Sequence, residues 1–160
     1  MKLIAIIDDN YGDYHYEMKD KYDNVTKFNK NQYYPKSIAY KNGDKITTDF
    51  VAATKYIKNG KGDEVRFTKN GNENITLVEY LHNNSVVNSV SINYDSQGYI
   101  SRLTYKNGST IVATTSLVFE DNDIVVIDDL SGYRIKYSLT SGRVTSFIDG
   151  FDTNFTNGHK

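Results

Sequence analysis

The sequence has no cysteine and no tryptophan, and it has a single proline in 160 residues. Without cysteine, the chain can form neither a disulfide nor a thiolate metal site. A single proline leaves almost every backbone N–H free to join a β-sheet, because proline is the residue that lacks this donor. The longest apolar run, residues 3–7, is far shorter than the ~20 residues of a membrane-spanning helix.

The chain also lacks an excess of charge of one sign, since 19 basic and 20 acidic residues give a formal net charge of −1. Nucleic-acid-binding proteins rely on clustered basic residues that neutralise phosphates. We therefore expect no nucleic-acid partner. Length and composition are those of an ordinary globular chain, which predicts one domain over 1–151 and a polar tail over 152–160.

Turn-forming residues interrupt the chain at short intervals. In the stretch 89–108, Val90, Ile92 and Tyr94 alternate with polar residues before a break at 95–98, and the alternation resumes after it. Similar breaks rich in Asn, Asp, Ser and Gly occur at 42–43, 59–62, 70–71, 83–84, 107–108, 121–123, 131–132, 141–142 and 149–150. Asn-Gly and Asp-Gly favour tight hairpins because both positions tolerate positive φ. The pattern predicts an antiparallel meander.

The segments between the breaks alternate apolar and polar side chains. Odd-numbered residues of 111–119 and 133–139 are mostly apolar, whereas Arg134 and Lys136 mark a solvated face. Residues 3–7 and 124–127 are apolar throughout, which predicts central strands covered on both faces. We expect an all-β fold of about 10–12 short strands, curled into an open barrel or a two-layer sandwich because a large twisted sheet tends to curl or split.

Residues 48–58 allow two interpretations. The spacing of Ile46, Phe50, Ala53 and Ile57 is typical of a helix, and the following Asn-Gly could end it. The same stretch is rich in Thr, Val, Ile and Tyr, which favour strands. We expect a strand, with a short helix near 48–58 as the alternative.

One motif resembles a known repeat. The pattern Tyr-Asp-x-x-Gly-Tyr-Ile-x-x-Leu resembles the YD repeat of Rhs-like and teneurin-like proteins, in which Tyr-Asp closes one strand and Gly opens the next. The residues that carry it are Tyr94, Asp95, Gly98 and Leu103, with a weaker copy at Tyr137 and Gly142. The resemblance implies that these residues have structural roles.

With its Asn-, Tyr- and Thr-rich strands, the chain most resembles uncharacterised envelope lipoprotein domains of Gram-negative gut commensals that carry degenerate repeats of this kind. The resemblance implies export and a lipid-anchored N-terminus that lies outside the present chain. It also implies a secreted, periplasmic or outer-membrane-anchored location, and it supplies no catalytic residues.

Tyrosine is unusually abundant, with 14 residues. Its flat apolar ring and polar hydroxyl suit recognition surfaces for sugars or proteins, and they also suit cross-strand packing. The N-terminal quarter holds several tyrosines, which we take as candidate ligand-binding residues: Tyr14, Tyr16, Tyr33, Tyr34 and Tyr40.

Acidic pairs such as Asp8-Asp9 and Asp128-Asp129 could supply calcium ligands or the two carboxylates of a glycosidase. No EF-hand loop accompanies them, and Asp is common at turns because its side chain caps its own backbone. His15, His82 and His159 have no metal-ligand spacing, and no Gly-x-Ser-x-Gly motif occurs. We predict no metal site, no cofactor and no catalytic residue.

The tyrosines and the resemblance together favour a non-catalytic module that binds a glycan or a protein, and the resemblance implies that it is secreted or lies in the cell envelope. One alternative is a barrel that carries a small hydrophobic ligand in its interior. A second alternative is a hydrolase with paired carboxylates.

Overall fold

The computed structural model describes residues 2–8, 13–29 and 35–150, with the backbone alone described for residues 2–8, 13–15 and 29. These residues form strands and turns and no helix. The strands are β1 (Lys2–Asp8), β2 (Asp13–Lys19), β3 (Val25–Asn29), β4 (Pro35–Ala39), β5 (Lys45–Val51), β6 (Thr54–Asn59), β7 (Asp63–Lys69), β8 (Ile75–His82), β9 (Ser85–Tyr94), β10 (Ile100–Asn107), β11 (Thr110–Glu120), β12 (Asp123–Asp128), β13 (Arg134–Thr140) and β14 (Arg143–Gly150). Within the described residues, no helix has the length and hydropathy needed to span a membrane.

The chain divides into two compact units, residues 1–87 and 88–160. The N-terminal unit contains β1 to β8 and the start of β9, and the C-terminal unit contains the rest of β9 and β10 to β14. In both units successive strands pair antiparallel. The predicted antiparallel all-β meander is therefore confirmed. The single domain predicted over 1–151 stays a prediction, and the tail 152–160 lies outside the described residues.

Each unit is a single layer of strands. Among β1–β8, and again among β10–β14, a strand contacts only its neighbours in the chain. The described strands of neither unit close on themselves, since β1 pairs with β2 alone and β14 with β13 alone. Within each unit a single sheet layer thus replaces the curled barrel or stacked layers that we expected.

One face of the N-terminal unit carries a cluster of charged side chains. The register places Tyr56 opposite Arg66 and Lys58 opposite Glu64. Glu64 is buried, and its carboxylate contacts Arg66 and accepts a hydrogen bond from Lys58 at 3.0 Å. Both cations lie over the ring of Tyr56 at 5.0 and 5.6 Å. Burying such a face under a second layer would desolvate several charges.

The opposite face of the N-terminal unit carries several apolar cross-strand pairs. Ile38 pairs with Ile46, Ile57 with Val65, and Phe67 with Val78. These side chains are half-buried rather than buried. In the C-terminal unit, Leu117, Val126 and Ile135 likewise share a face, while Lys136 lies on the other face. The two buried apolar residues of the described part of the chain, Leu81 and Val125, lie on the other faces, opposite Glu64 and Lys136.

The two wholly apolar segments were expected to be central strands covered on both faces. Only the central position is confirmed, and only for β12, because no second layer of described strands covers its sheet. β12 lies between β11 and β13, and its Val125 is buried. β1, in contrast, is the first strand of its sheet and pairs only with β2 in the described residues. Its prediction as a central strand was wrong, because an apolar sequence does not specify the order of strands.

Residues 48–58 are strand, so the helix alternative was wrong. They span the end of β5 and most of β6, joined by a tight turn at Ala52-Ala53 in which Ala52 has φ of 52°. The described residues form fourteen strands, against about 10–12 expected. This turn lacks Gly, Asn and Asp, so no sequence signal marked the boundary between two strands.

A five-residue loop recurs between strands. The side-chain oxygen of its first residue accepts hydrogen bonds from the backbone N–H groups of the third and fifth residues, at 2.8 to 3.1 Å. The fourth residue has positive φ, between 64° and 90°. We call this an Asx loop, and it occurs at 20–24, 59–63, 70–74 and 95–99.

The predicted repeat therefore has a physical basis at one of its two copies. Asp95 is the acceptor of the fourth Asx loop, and Gly98 adopts its positive φ of 88°. The weaker copy has a different turn, because Ser141 and Gly142 form a two-residue turn between the paired Thr140 and Arg143. Leu103 and Tyr137 lie within β10 and β13, where each pairs with a neighbouring strand.

Candidate functional site

Three loops lie side by side along one edge of the N-terminal unit, the edge formed by the ends of its strands. In an antiparallel meander every second connection falls at the same edge of the sheet, and the loops 20–24, 40–44 and 59–63 follow β2, β4 and β6. The middle loop has the same backbone bonds as an Asx loop, with Tyr40 N to Asp44 O at 2.8 Å and Gly43 N to Tyr40 O at 3.0 Å. We call this row of three loops the loop edge.

Side chains connect the three loops. The N–H of Lys41 donates to Oδ1 of Asn24 at 3.2 Å, which ties the middle loop to the first. Nζ of Lys61 lies 3.0 Å from Asp44 Oδ1, which ties the third loop to the middle one. A longer pair joins Lys41 Nζ to Asp23 Oδ2 at 3.8 Å. The loop edge is therefore held by contacts between loops far apart in sequence.

Two clefts lie between these loops. The first cleft has a volume of about 470 Å³ and is lined by residues 21–24 and 40–42. The second has a volume of about 380 Å³ and is lined by residues 40, 42, 44–46 and 59–61. Tyr40 and Asn42 line both clefts. The middle loop is thus the wall that the two clefts share.

Aromatic rings are exposed at this wall and beside it. Tyr40 is 39% exposed, and Tyr22 in the first cleft is 63% exposed. Nζ of Lys21 lies 4.8 Å from the centre of the Tyr22 ring. Exposed rings flanked by amides and charges can stack on an apolar surface of a ligand while polar neighbours bond its hydroxyls.

Two acids of the loop edge, Asp44 and Asp20, are held ionised. Hydrogen bonds from Lys61 and from Asn42 lower the pKa of Asp44 below its ordinary value. In the first loop, hydrogen bonds from Asn24 and from the backbone lower the pKa of Asp20. The loop edge consequently presents carboxylates and ammonium groups together at neutral pH.

A second polar cluster adjoins the third loop. Asp63 accepts hydrogen bonds from Asn59 Nδ2 at 2.7 Å, Tyr80 Oη at 2.8 Å and His82 Nδ1 at 2.8 Å. These bonds, that of His82 first, lower the pKa of Asp63 to about 2. Because Asn59 also lines the second cleft, the cluster fixes one wall of that cleft.

The histidine of this cluster has both ring nitrogens engaged. Nε2 of His82 lies 3.0 Å from Nδ2 of Asn83. An amide nitrogen can only donate, so Nε2 accepts, and Nδ1 carries the proton that it donates to Asp63. Neither partner is a nucleophile, so this Asp-His pair lacks the hydroxyl or thiol that triad chemistry requires.

The tyrosines predicted to bind ligand lie in different parts of the chain, and one of them lines the clefts. Tyr40 lies at the shared wall of the clefts. Tyr16 pairs with Phe28 across β2 and β3 and lines neither cleft. The backbone of Tyr14 lies in β2, but its side chain is outside the described part of the structure. Tyr33 and Tyr34 also lie outside the described residues.

Sequence reasoning missed most of the loop edge. Its lysines Lys21, Lys41 and Lys61 occur at equal spacing, one in each loop. The spacing of 20 residues was the available signal that these lysines lie in neighbouring loops, because it matches the length of two strands with their turns. In the described ranges 16–28 and 35–150, whose side chains are described, no group of three or more His, Asp and Glu is arranged to hold a metal ion.

Comparison with known protein families and with curated proteins gives no match for this chain.

Proposed function

We propose that the N-terminal unit is a non-catalytic glycan-binding module whose ligand lies across the loop edge. The observation that carries the proposal is the pair of adjacent clefts that share Tyr40 and Asn42. A sugar ring offers an apolar C–H face and a rim of hydroxyls. A tyrosine ring can pack on the first, and Asn, Asp and Lys side chains can bond the second.

The form of the clefts supports a sugar over a small hydrophobic ligand. Both clefts lie among polar loops, and the described strands of neither unit close to form a barrel interior. The paired-carboxylate hydrolase receives no support at the Asp63 cluster, where the carboxylate is bonded to Asn59, Tyr80 and His82. A protein ligand stays an alternative, because exposed tyrosines also serve protein recognition.

A location in the cell envelope goes with this function. The resemblance to envelope lipoproteins supports export, and polysaccharides are the abundant ligands outside the cell. We include a secreted, periplasmic or outer-membrane-anchored location in the proposal on that ground.

The test is a glycan array and a protein array probed with the folded chain, followed by calorimetric titration of any ligand found. We expect glycan binding that Tyr40→Ala weakens about tenfold or more, because losing a stacking aromatic costs at least about 1.4 kcal/mol. Tyr105→Ala is the matched control. Tyr105 is 38% exposed, nearly the same as Tyr40, but it lies in β10 of the other unit.

Three outcomes would contradict the proposal. A folded sample that binds no glycan would contradict it directly. Binding on the protein array alone would favour the protein alternative. Equal loss of glycan binding in Tyr40→Ala and Tyr105→Ala would show that the loop edge is not the site.

A further inference from the structure

The two clefts of the loop edge carry the same set of charges. The first cleft is lined by two lysines and one aspartate, namely Lys21, Lys41 and Asp23. The second is also lined by two lysines and one aspartate, namely Lys45, Lys61 and Asp44. Each cleft therefore has one net positive charge, although the chain as a whole has a formal net charge of −1.

The clefts are separated by a fixed step. Each lies between two loops that are two strands apart. Neighbouring strands lie about 4.8 Å apart, so the step between clefts is roughly 9.6 Å along the loop edge. That step is close to the length of one disaccharide in an extended glycan chain.

We propose that the ligand is a linear acidic polysaccharide that runs along the loop edge across the strands and places one anionic group in each cleft. The inference rests on the proposed glycan-binding function and specifies its ligand. An anion repeated once per disaccharide would meet one net positive charge per cleft. The shared chemistry is a carboxylate or sulfate carried on a regular chain.

The lysines of the loop edge can reach such an anion. The side chains of Lys41 and Lys61 are 73% and 70% exposed, and each lies beside an aspartate of the preceding loop. Exposed ion pairs are weak, so a ligand anion can join them without a large loss. Because both clefts engage one chain, their contributions reinforce each other as in multivalent binding.

The test compares oligosaccharides of defined length by calorimetry at low salt. Hyaluronan oligosaccharides carry one carboxylate per disaccharide, keratan sulfate oligosaccharides carry sulfate without carboxylate, and cello-oligosaccharides are neutral. We expect at least one acidic series to bind tenfold or more tighter than the neutral series. Binding should strengthen steeply from the disaccharide to the hexasaccharide and weaken as salt rises. The two acidic series separate carboxylate from sulfate recognition.

Charge-reversal variants locate the site. Lys41→Glu and Lys61→Glu should each weaken acidic binding at least fivefold and leave neutral binding nearly unchanged. Lys36→Glu in β4 makes the same charge change at another exposed lysine of the unit and should have little effect. Lys61 pairs with Asp44, so Lys61→Glu could disturb the fold through repulsion between two carboxylates. The milder Lys61→Gln variant, with a circular dichroism spectrum that matches the wild type, should also weaken acidic binding and shows that the loss is not due to unfolding.

The outcomes separate the two proposals. Equal binding of acidic and neutral chains, independent of salt, would overturn the acidic-ligand inference and leave the glycan-binding proposal standing. Absence of all glycan binding would overturn both. Equal effects of Lys36→Glu and Lys41→Glu would show that only the overall charge matters, which overturns the assignment to the clefts.

Discussion

The Asx loop at 95–99 should depend on the carboxylate of Asp95. Its Oδ1 accepts hydrogen bonds from the N–H groups of Gln97 and Tyr99, both at 2.9 Å. Asp95→Ala removes both acceptors at once. Water replaces them in part because the loop is exposed, so the loss is less than that of two buried bonds to a charged group.

The closest measured analogue is the helix N-cap, where removing an Asp or Asn side chain costs about 0.5–2 kcal/mol. With two bonds lost, we expect Asp95→Ala to destabilise the β9–β10 hairpin by about 1–2 kcal/mol. This corresponds to a roughly 5- to 30-fold change in an opening equilibrium. Hydrogen exchange of the β9–β10 amides measures it directly, because exchange reports local opening.

Two controls make the experiment decisive. Asp95→Asn should retain most of the protection, because Asn59 and Asn70 perform the same role in their own loops. Ser96→Ala changes an exposed neighbour in the same loop and should alter stability by less than about 0.5 kcal/mol. The reasoning is refuted if Asp95→Ala exchanges no faster than Ser96→Ala, or if Asp95→Asn is as damaging as Asp95→Ala.

Two further predictions concern the N-terminal unit. Ala52→Gly should increase the free energy of unfolding by about 0.5–1 kcal/mol and so raise the urea midpoint, because glycine relieves a φ of 52° that alanine tolerates poorly. The neighbouring Ala53→Gly should give no such increase. Equal effects of the two substitutions would contradict this reasoning. Asp63 has its pKa lowered to about 2 from the ordinary 3.8, so its contribution to stability is fully present above pH 3.8 and is lost as pH falls through 2. An NMR titration of the Asp63 carboxyl should give a pKa of about 2, and this pKa should rise in the His82→Ala variant. A wild-type pKa near 3.8 would contradict the role of His82.

The fold class and the faces of the strands could be predicted because they depend on local pattern. Alternation specifies which side chains share a face, and Gly98 or Gly142 marks a turn that needs positive φ. The turn at 52–53 contains no Gly, Asn or Asp and gave no such signal. Ala52 adopts a positive φ of 52° there, between β5 and β6, where the β-forming sequence alone would have continued one strand.

The layer arrangement and the site could not be predicted, because both depend on contacts between distant segments. Periodicity does not say whether an apolar face is covered. Tyr40 was found from composition, whereas the clefts on its two sides arise only when loops 20–24, 40–44 and 59–63 become neighbours. Tyr22 was passed over, although it lies in the first cleft and is more exposed than Tyr40.

Contacts restricted to adjacent strands make each unit modular. Stability in such an array is close to a sum of terms from each strand and its two interfaces, as in repeat proteins. Removing or duplicating two consecutive strands would restore the antiparallel direction, keep the polar and apolar faces aligned and leave the next loop at the same edge. Evolution could therefore lengthen or shorten the row of clefts in steps of one hairpin, without a new core.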